Sequence, residues 1–244
     1  MAVVKLVLAY DGTDFHGWAR QPRHRSVEGE LISAMERLLG MRPRISVAGR
    51  TDAGVHASGQ VVSLESDLEP SRLQAALNGV LAPEVVVLSA TRAPAGFDAR
   101  YSAKAREYRY RIDVGQVPDP FSARFVWHRP RELGLADMRA AARYLVGTHD
   151  FASFGRALSG GGGTVRDLQR LSVSRVGDRI EVRVRANSFI YRMVRSLVGT
   201  LVLCGDGKIG PADVPEILAA RDRSRAGRVA PPHGLTLERV FYRG

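Results

Sequence analysis

The chain has 244 residues, 45% of them hydrophobic and 25% charged, a composition that belongs to folded globular proteins with one large domain or two ordinary ones. With 36 Lys and Arg against 25 Asp and Glu, the net charge is +11, which favours a polyanionic partner because each neutralised phosphate releases condensed counterions. Cys204 is the only cysteine, which excludes an internal disulfide and a cysteine-rich zinc site. No stretch approaches a membrane span, no long basic amphipathic helix serves a membrane surface, and the apolar run before Tyr10 is too short for a signal segment. The expectation is a cytoplasmic, nucleic-acid-binding protein without membrane attachment.

In chain order, Val3–Tyr10 reads as a strand. Ser26 offers an N-cap, Glu28 and Glu30 suit a first helical turn, and Val27, Leu31, Ala34, Met35 and Leu38 recur at helical spacing until Gly40. Strands at Ile45–Val47 and Gln60–Leu64, a helix at Ser71–Leu81 and a strand at Val85–Ala90 complete a strand-helix-strand-strand-helix-strand series. The second half begins with a strand at Glu107–Ile112. A helix at Asp137–Val146 follows, with Met138, Ala141, Tyr144 and Leu145 facing inward. Leu168–Val176 and Arg179–Ala186 form a hairpin at Gly177-Asp178, and the second strand alternates strictly between apolar and charged residues. Then come a helix at Phe189–Leu203 capped by Asn187 or Ser188, a shorter one at Pro211–Ala220, and a strand at Leu235–Tyr242. The pattern predicts an α+β protein of two βαββαβ-like (ferredoxin- or RRM-like) halves, 1–100 and 101–244, with antiparallel sheets and helices on one face. The glycine run within Ser159–Thr164 reads as a mobile loop.

Ala48-Gly-Arg-Thr-Asp-Ala-Gly-Val-His-Ala57 carries the most chemistry. Gly49 and Gly54 permit a sharp turn and close approach of a ligand, Arg50 presents a planar cationic fork, and Asp52 supplies a carboxylate for covalent or acid–base work on a nucleotide. An ordinary Asp-Ala-Gly turn with a solvated arginine fits the same residues. In Arg106-Glu-Tyr-Arg-Tyr-Arg111 a strand puts Tyr108 and Tyr110 on one face and Arg109 and Arg111 on the other. The tyrosines are either a stacking platform for an unpaired base or core residues. Arg192 and Arg195 are i,i+3 neighbours on a core-packed helix; either could reach Asp52 and keep it ionised, or both are simply solvated. Asp11, Asp14 and Asp52 could hold a metal, although turn-forming aspartates explain the first two. Gly205-Asp-Gly-Lys-Ile-Gly210 matches a dinucleotide fingerprint in letters only, since it follows a helix. The basic loop Arg221–Arg228, with Arg20, Arg23, His24 and Arg25, could track phosphates.

Taken together, six ordered stretches resemble the tRNA pseudouridine synthase A family over nearly the whole chain. They are Tyr10–Thr13 with Gly17–Gln21, Gly49–His56, Phe97–Ala103, Arg106–Tyr110, His149–Phe154 and Asn187–Gly199. The Gly160–Gly163 run departs from that pattern. The resemblance implies a catalytic aspartate at Asp52, a base-stacking tyrosine at Tyr108, a nucleotide-holding Arg50, and Arg195 paired with the aspartate. It further implies two halves whose antiparallel sheets join with a basic cleft between them, a homodimer, and the anticodon arm of tRNA as substrate. The implied reaction isomerises uridine to pseudouridine at positions 38, 39 and 40. It needs no cofactor and no metal, because the uracil N1–C1′ bond breaks and a C5–C1′ bond forms with nothing gained or lost. Asp52 could attack C1′, add to C6 or remove a proton; the residues do not choose. Two rivals are a non-catalytic RNA-binding module and a metal-dependent nuclease built on Asp11, Asp14 and Asp52.

Overall fold

The computed structural model describes residues 2–157 and 162–242. These form an α+β fold of five α-helices and ten strands, mostly antiparallel, in two compact units. The described residues within 1–106 and 236–244 make the first unit and those within 107–235 the second.

The first unit contains β1 (Ala2–Tyr10), α1 (Val27–Leu39), β2 (Ile45–Val47), β3 (His56–Ser66), α2 (Pro70–Leu81), β4 (Val85–Arg92) and β10 (Leu235–Phe241). Its strands run in the order β4-β1-β3-β10. Along the other edge of β3, β2 pairs antiparallel opposite Val62–Leu64 while β10 pairs parallel opposite His56 and Ala57. That pairing, rather than chain order, places β10 in the first unit. Alternate residues Val4, Leu6 and Leu8 of β1 are wholly buried together with Leu31 and Met35 of α1 and Leu73 and Leu77 of α2. Each such side chain contributes about 1.5–3 kcal/mol of burial. Ser26 caps α1 as expected, accepting from the Gly29 N–H at 3.2 Å, and Gly40 ends it at φ 68°.

The second unit contains β5 (Ala105–Asp113, which opens at the boundary), β6 (Trp127–His128), α3 (Leu135–Leu145), β7 (Gly147–Asp150), β8 (Val165–Val176), β9 (Arg179–Ala186), α4 (Met193–Gly205) and α5 (Val214–Ala220). Its strands run β5-β9-β8-β7, with β6 parallel to the end of β5. The hairpin turns at Gly177, whose φ of 60° suits a two-residue turn, and pairs Val176 with Arg179. The inner face of β9, Ile180, Val182, Val184 and Ala186, is wholly buried. α3 packs against β8 and α4.

Three local expectations need correction. Helix α4 starts at Met193 and not at Phe189, because Arg192 adopts a left-handed φ of 62° that no helix continues through. Asn187 is therefore not a cap; its side-chain oxygen accepts from the Asp167 and Ser188 N–H groups. Tyr144 is 48% exposed, and Ala142 takes the inward place assigned to it. The Gly-x-Gly-x-x-Gly letters do close a helix: Gly207 at φ 69° follows α4, and the Gly207 and Lys208 N–H groups return to Cys204 and Leu203 carbonyls. The loop expected at 159–164 lies partly outside the described residues.

Candidate active site

The Ala48–Val55 loop joins β2 to β3 and is held from several sides. Arg106, 8% exposed, donates from Nε and Nη2 to the Ala48 carbonyl at 3.0 and 2.7 Å, and from Nη2 to the Arg100 carbonyl at 2.9 Å. Gln60, wholly buried, donates from Nε2 to the Gly49 carbonyl at 2.6 Å. The Thr51 hydroxyl is 2.8 Å from the Tyr10 hydroxyl, and the Thr51 carbonyl accepts from the Trp18 N–H at 3.0 Å. Past Asp52, the Val55 N–H returns to the Asp52 carbonyl at 3.1 Å, closing a turn in which Gly54 has a φ of 74°.

The close approach comes from outside the motif. Gly17, at φ 89°, lies so near that a Cβ there would sit 2.8 Å from the Thr51 carbonyl oxygen and 3.1 Å from the Asp52 carbonyl carbon. Gly49, expected to share the turn with Gly54, has no positive φ. The Asp52 carboxyl is half-buried on this fixed backbone, and Arg50 is exposed beside it. Each supporting hydrogen bond is worth about 0.5–1.5 kcal/mol, so the network's main effect is to leave the loop a single backbone path.

Sequence reasoning missed Tyr10, Gln60, Trp18 and Arg106 as supports. The available signal was polarity out of place: a glutamine inside the apolar run of β3, and an arginine opening a strand with aromatic neighbours. Burial pushes the Tyr10 hydroxyl up to about 12, against hydrogen bonds with Thr51 and Gln60 that pull the other way. A folded value above the unfolded 10.0 means that this contribution to stability is complete below pH 10 and fades as pH rises towards 12. Urea unfolding midpoints between pH 8 and 12 are expected to fall, and to fall less steeply in Tyr10→Phe. Equal slopes would contradict a buried, protonated Tyr10.

Asp11 is occupied as a turn residue: its Oδ1 accepts from the Thr13 N–H at 3.0 Å and hydroxyl at 2.6 Å, and lies 3.1 Å from His56 Nδ1. Among the described residues no group of three or more His, Cys, Asp or Glu could hold a metal ion.

In the second unit β5 separates its residues as the alternation required. Tyr110 is wholly buried and donates its hydroxyl to the Pro231 carbonyl at 2.8 Å. Its ionisation is pushed well up by burial, with Arg195 opposing. Tyr108 is 7% exposed and meets Phe189 edge-on, ring centroids 5.2 Å apart. Both tyrosines are therefore buried, Tyr110 completely. On the opposite face Arg109 and Arg111 reach Glu181 at 3.4 and 3.5 Å. Arg195, half-buried on α4, donates from Nε to the Ala230 carbonyl at 2.7 Å, while the Ala230 N–H returns to the Arg195 carbonyl at 3.1 Å. Asp52 and Arg50 thus share one loop of the first unit, and Tyr108 and Arg195 sit on β5 and α4 of the second.

The basic segments divide. Arg25, which is exposed, is tied to Glu84 through two bonds of 2.8 and 2.6 Å and to Glu30 at 2.8 Å. Arg221 pairs with Asp150 at 3.1 Å. Arg20, Arg23 and His24 are exposed. No helix among the described residues is long and apolar enough to cross a membrane.

A family model described as tRNA pseudouridine synthase matches residues 6–102 and 141–243. The chain belongs to the tRNA pseudouridine synthase family. Relatives cover both chains almost end to end. A tRNA pseudouridine synthase A of Methylobacterium nodulans is 47% identical, over 98% of this chain and 95% of its own. Those of Brevibacillus brevis and Moorella thermoacetica are 43% and 45% identical, each over 99% of this chain and 100% of its own. The chemistry of the family is isomerisation of uridine in tRNA, so this chain is an isomerase that modifies tRNA.

Proposed function

We propose that the protein converts uridine to pseudouridine at positions 38, 39 and 40 of the tRNA anticodon stem and loop, with Asp52 acting on a flipped-out uridine. The observation that carries this reading is the Asp52 loop, whose backbone is fixed by Gly17, Trp18, Tyr10, Gln60 and Arg106 while its carboxylate is left half-buried. Catalytic groups need such a support, because small misplacements are costly in rate. A solvated turn aspartate has no use for it.

A stacked uridine hides its reacting atoms, and unstacking it costs a few kcal/mol, about what one aromatic stack and phosphate contacts supply. In this proposal Tyr108 stacks on the everted base, Arg50 holds the nucleotide, and Arg195 faces Asp52 and keeps it ionised. No cofactor enters, since the reaction is internally balanced: the base leaves C1′ through N1, turns, and rejoins through C5, whose proton moves to solvent while N1 gains one. The proposal also includes a homodimer in the cytoplasm, each tRNA spanning both subunits.

Position-resolved mapping of unmodified tRNA treated with the protein tests the reading. Pseudouridine at 38, 39 or 40 is expected, with chelator present or absent. Modification elsewhere would refute the assigned site, and strand cleavage abolished by chelator would favour the nuclease.

A further inference from the structure

We propose that Arg156 and Arg192, both resting on the Tyr191 ring, form with Arg223 a phosphate-binding site for the RNA backbone, separate from the residues assigned to the reacting nucleotide. The inference rests on tRNA being the substrate. The guanidinium carbons of Arg156 and Arg192 lie 4.9 and 4.8 Å from the Tyr191 ring centroid. A planar guanidinium resting on a ring keeps its edge donors for an anion. The turn Arg223–Arg225 packs against the turn Ala152–Phe154 that leads to Arg156, and burial and then the Arg192 charge lower the Arg223 ionisation. Its Nη1 and Nη2 donate to the Ala226 and Gly227 carbonyls at 3.3 and 2.9 Å, which fixes its direction without neutralising it.

Arg156 and Arg192 are exposed and Arg223 is half-buried, so all three can be reached from solvent. Several arginines of the second unit find carboxylates, such as Arg129 on Asp206 at 2.7 Å and Arg175 on Glu132 at 2.7 Å, whereas others, such as Arg139 on the Val173 carbonyl, do not. Among the described residues no carboxylate pairs with Arg156, Arg192 or Arg223. The backbone also holds the like charges together. Arg156 and Tyr191 form an isolated antiparallel bridge, with the Tyr191 N–H on the Arg156 carbonyl at 3.0 Å. The preceding residue must be glycine, since a Cβ on Gly155 would meet the Tyr191 carbonyl oxygen at 2.5 Å.

Arg192 adds a further conflict. It occupies a left-handed conformation at the N-cap of α4, a helix with no side-chain cap and no acidic residue in its first turn. A cation there opposes the helix dipole, whereas an anion suits it; α1, by contrast, carries Glu28 and Glu30 in its first turn. Two cations on one ring, one of them at an uncapped helix start, are reconciled by a bound phosphate.

The test compares tRNA affinity, its salt dependence and saturated turnover for the wild type, Arg156→Gln, Arg192→Gln, Arg223→Gln and the triple variant. Each single change is expected to weaken tRNA binding about 3- to 10-fold with kcat within about twofold. The slope of log Kd against log salt in the triple variant should be shallower by about 1. Unchanged affinity and slope in the triple variant, with wild-type thermal stability, would overturn the site. So would a fall in kcat at unchanged Kd. Failure of the functional reading is separable, because it appears as absent pseudouridine in the wild type whatever these variants do.

Discussion

Replacing Asp52 by asparagine is expected to lower pseudouridine formation by about 10⁴-fold, close to the loss seen when a central catalytic group is removed from other enzymes. The amide matches the carboxylate in shape and can still accept a hydrogen bond, so the loop, whose fixing bonds run through the Thr51 and Asp52 backbone, keeps its path. What disappears is the negative charge, and with it the nucleophilicity and basicity that any of the three routes requires, whether attack at C1′, addition at C6 or proton removal. Since tRNA affinity depends chiefly on phosphate contacts, Kd should stay within about threefold. A parallel fall in binding and turnover would show that Asp52 supports the fold instead of reacting.

Gly17→Ala is the second large effect, at a residue with no chemistry of its own. Two penalties coincide there: a φ of 89°, which alanine rarely adopts, and a new methyl 2.8 Å from the Thr51 carbonyl oxygen. The first costs about 1–2 kcal/mol of stability. The second cannot be relieved by a rotamer change, because both contacting groups are backbone, so the Thr51-Asp52 peptide must shift. A displacement approaching 1 Å at a catalytic group costs about 10²-fold in rate. Turnover is therefore expected to drop about 10²-fold, beyond what the thermal shift explains, with tRNA binding largely kept. Stability loss with full specific activity in the folded fraction would show that the loop tolerates movement.

Much of this was legible in the sequence, and the misses have physical causes. The period of α1 and the alternation of β9 report a buried face directly, so those elements are found where the residues place them. Strand β3 is longer than its predicted core because it is buried along nearly its full length, which removes the polar half of the alternation. Strands β6 and β7 span two and four residues, too few for any period to register. The start of α4 was hidden because a left-handed arginine carries no mark that a glycine would.

For the candidate site the outcome divides in the same way. The Gly-Arg-Thr-Asp-Ala-Gly string names the loop, and Gly54 takes the turn conformation that its place demanded. The string says nothing of Gly17 or Tyr10, which contact it from 35 and 41 residues upstream, since long-range support leaves no local pattern. The tyrosines of β5 were ambiguous between core and platform, and both are buried, Tyr110 wholly and Tyr108 nearly so. The pairing of Arg25 with Glu84 was hidden because the two are 59 residues apart in sequence.

The most direct measurement is a structure of the Asp52→Asn protein bound to an unmodified tRNA. The account predicts the target uridine out of its stack, its ring against Tyr108 and its sugar C1′ or C6 within contact distance of the residue 52 side chain. A uridine still stacked in the anticodon arm, or everted into a pocket remote from that side chain, would contradict it.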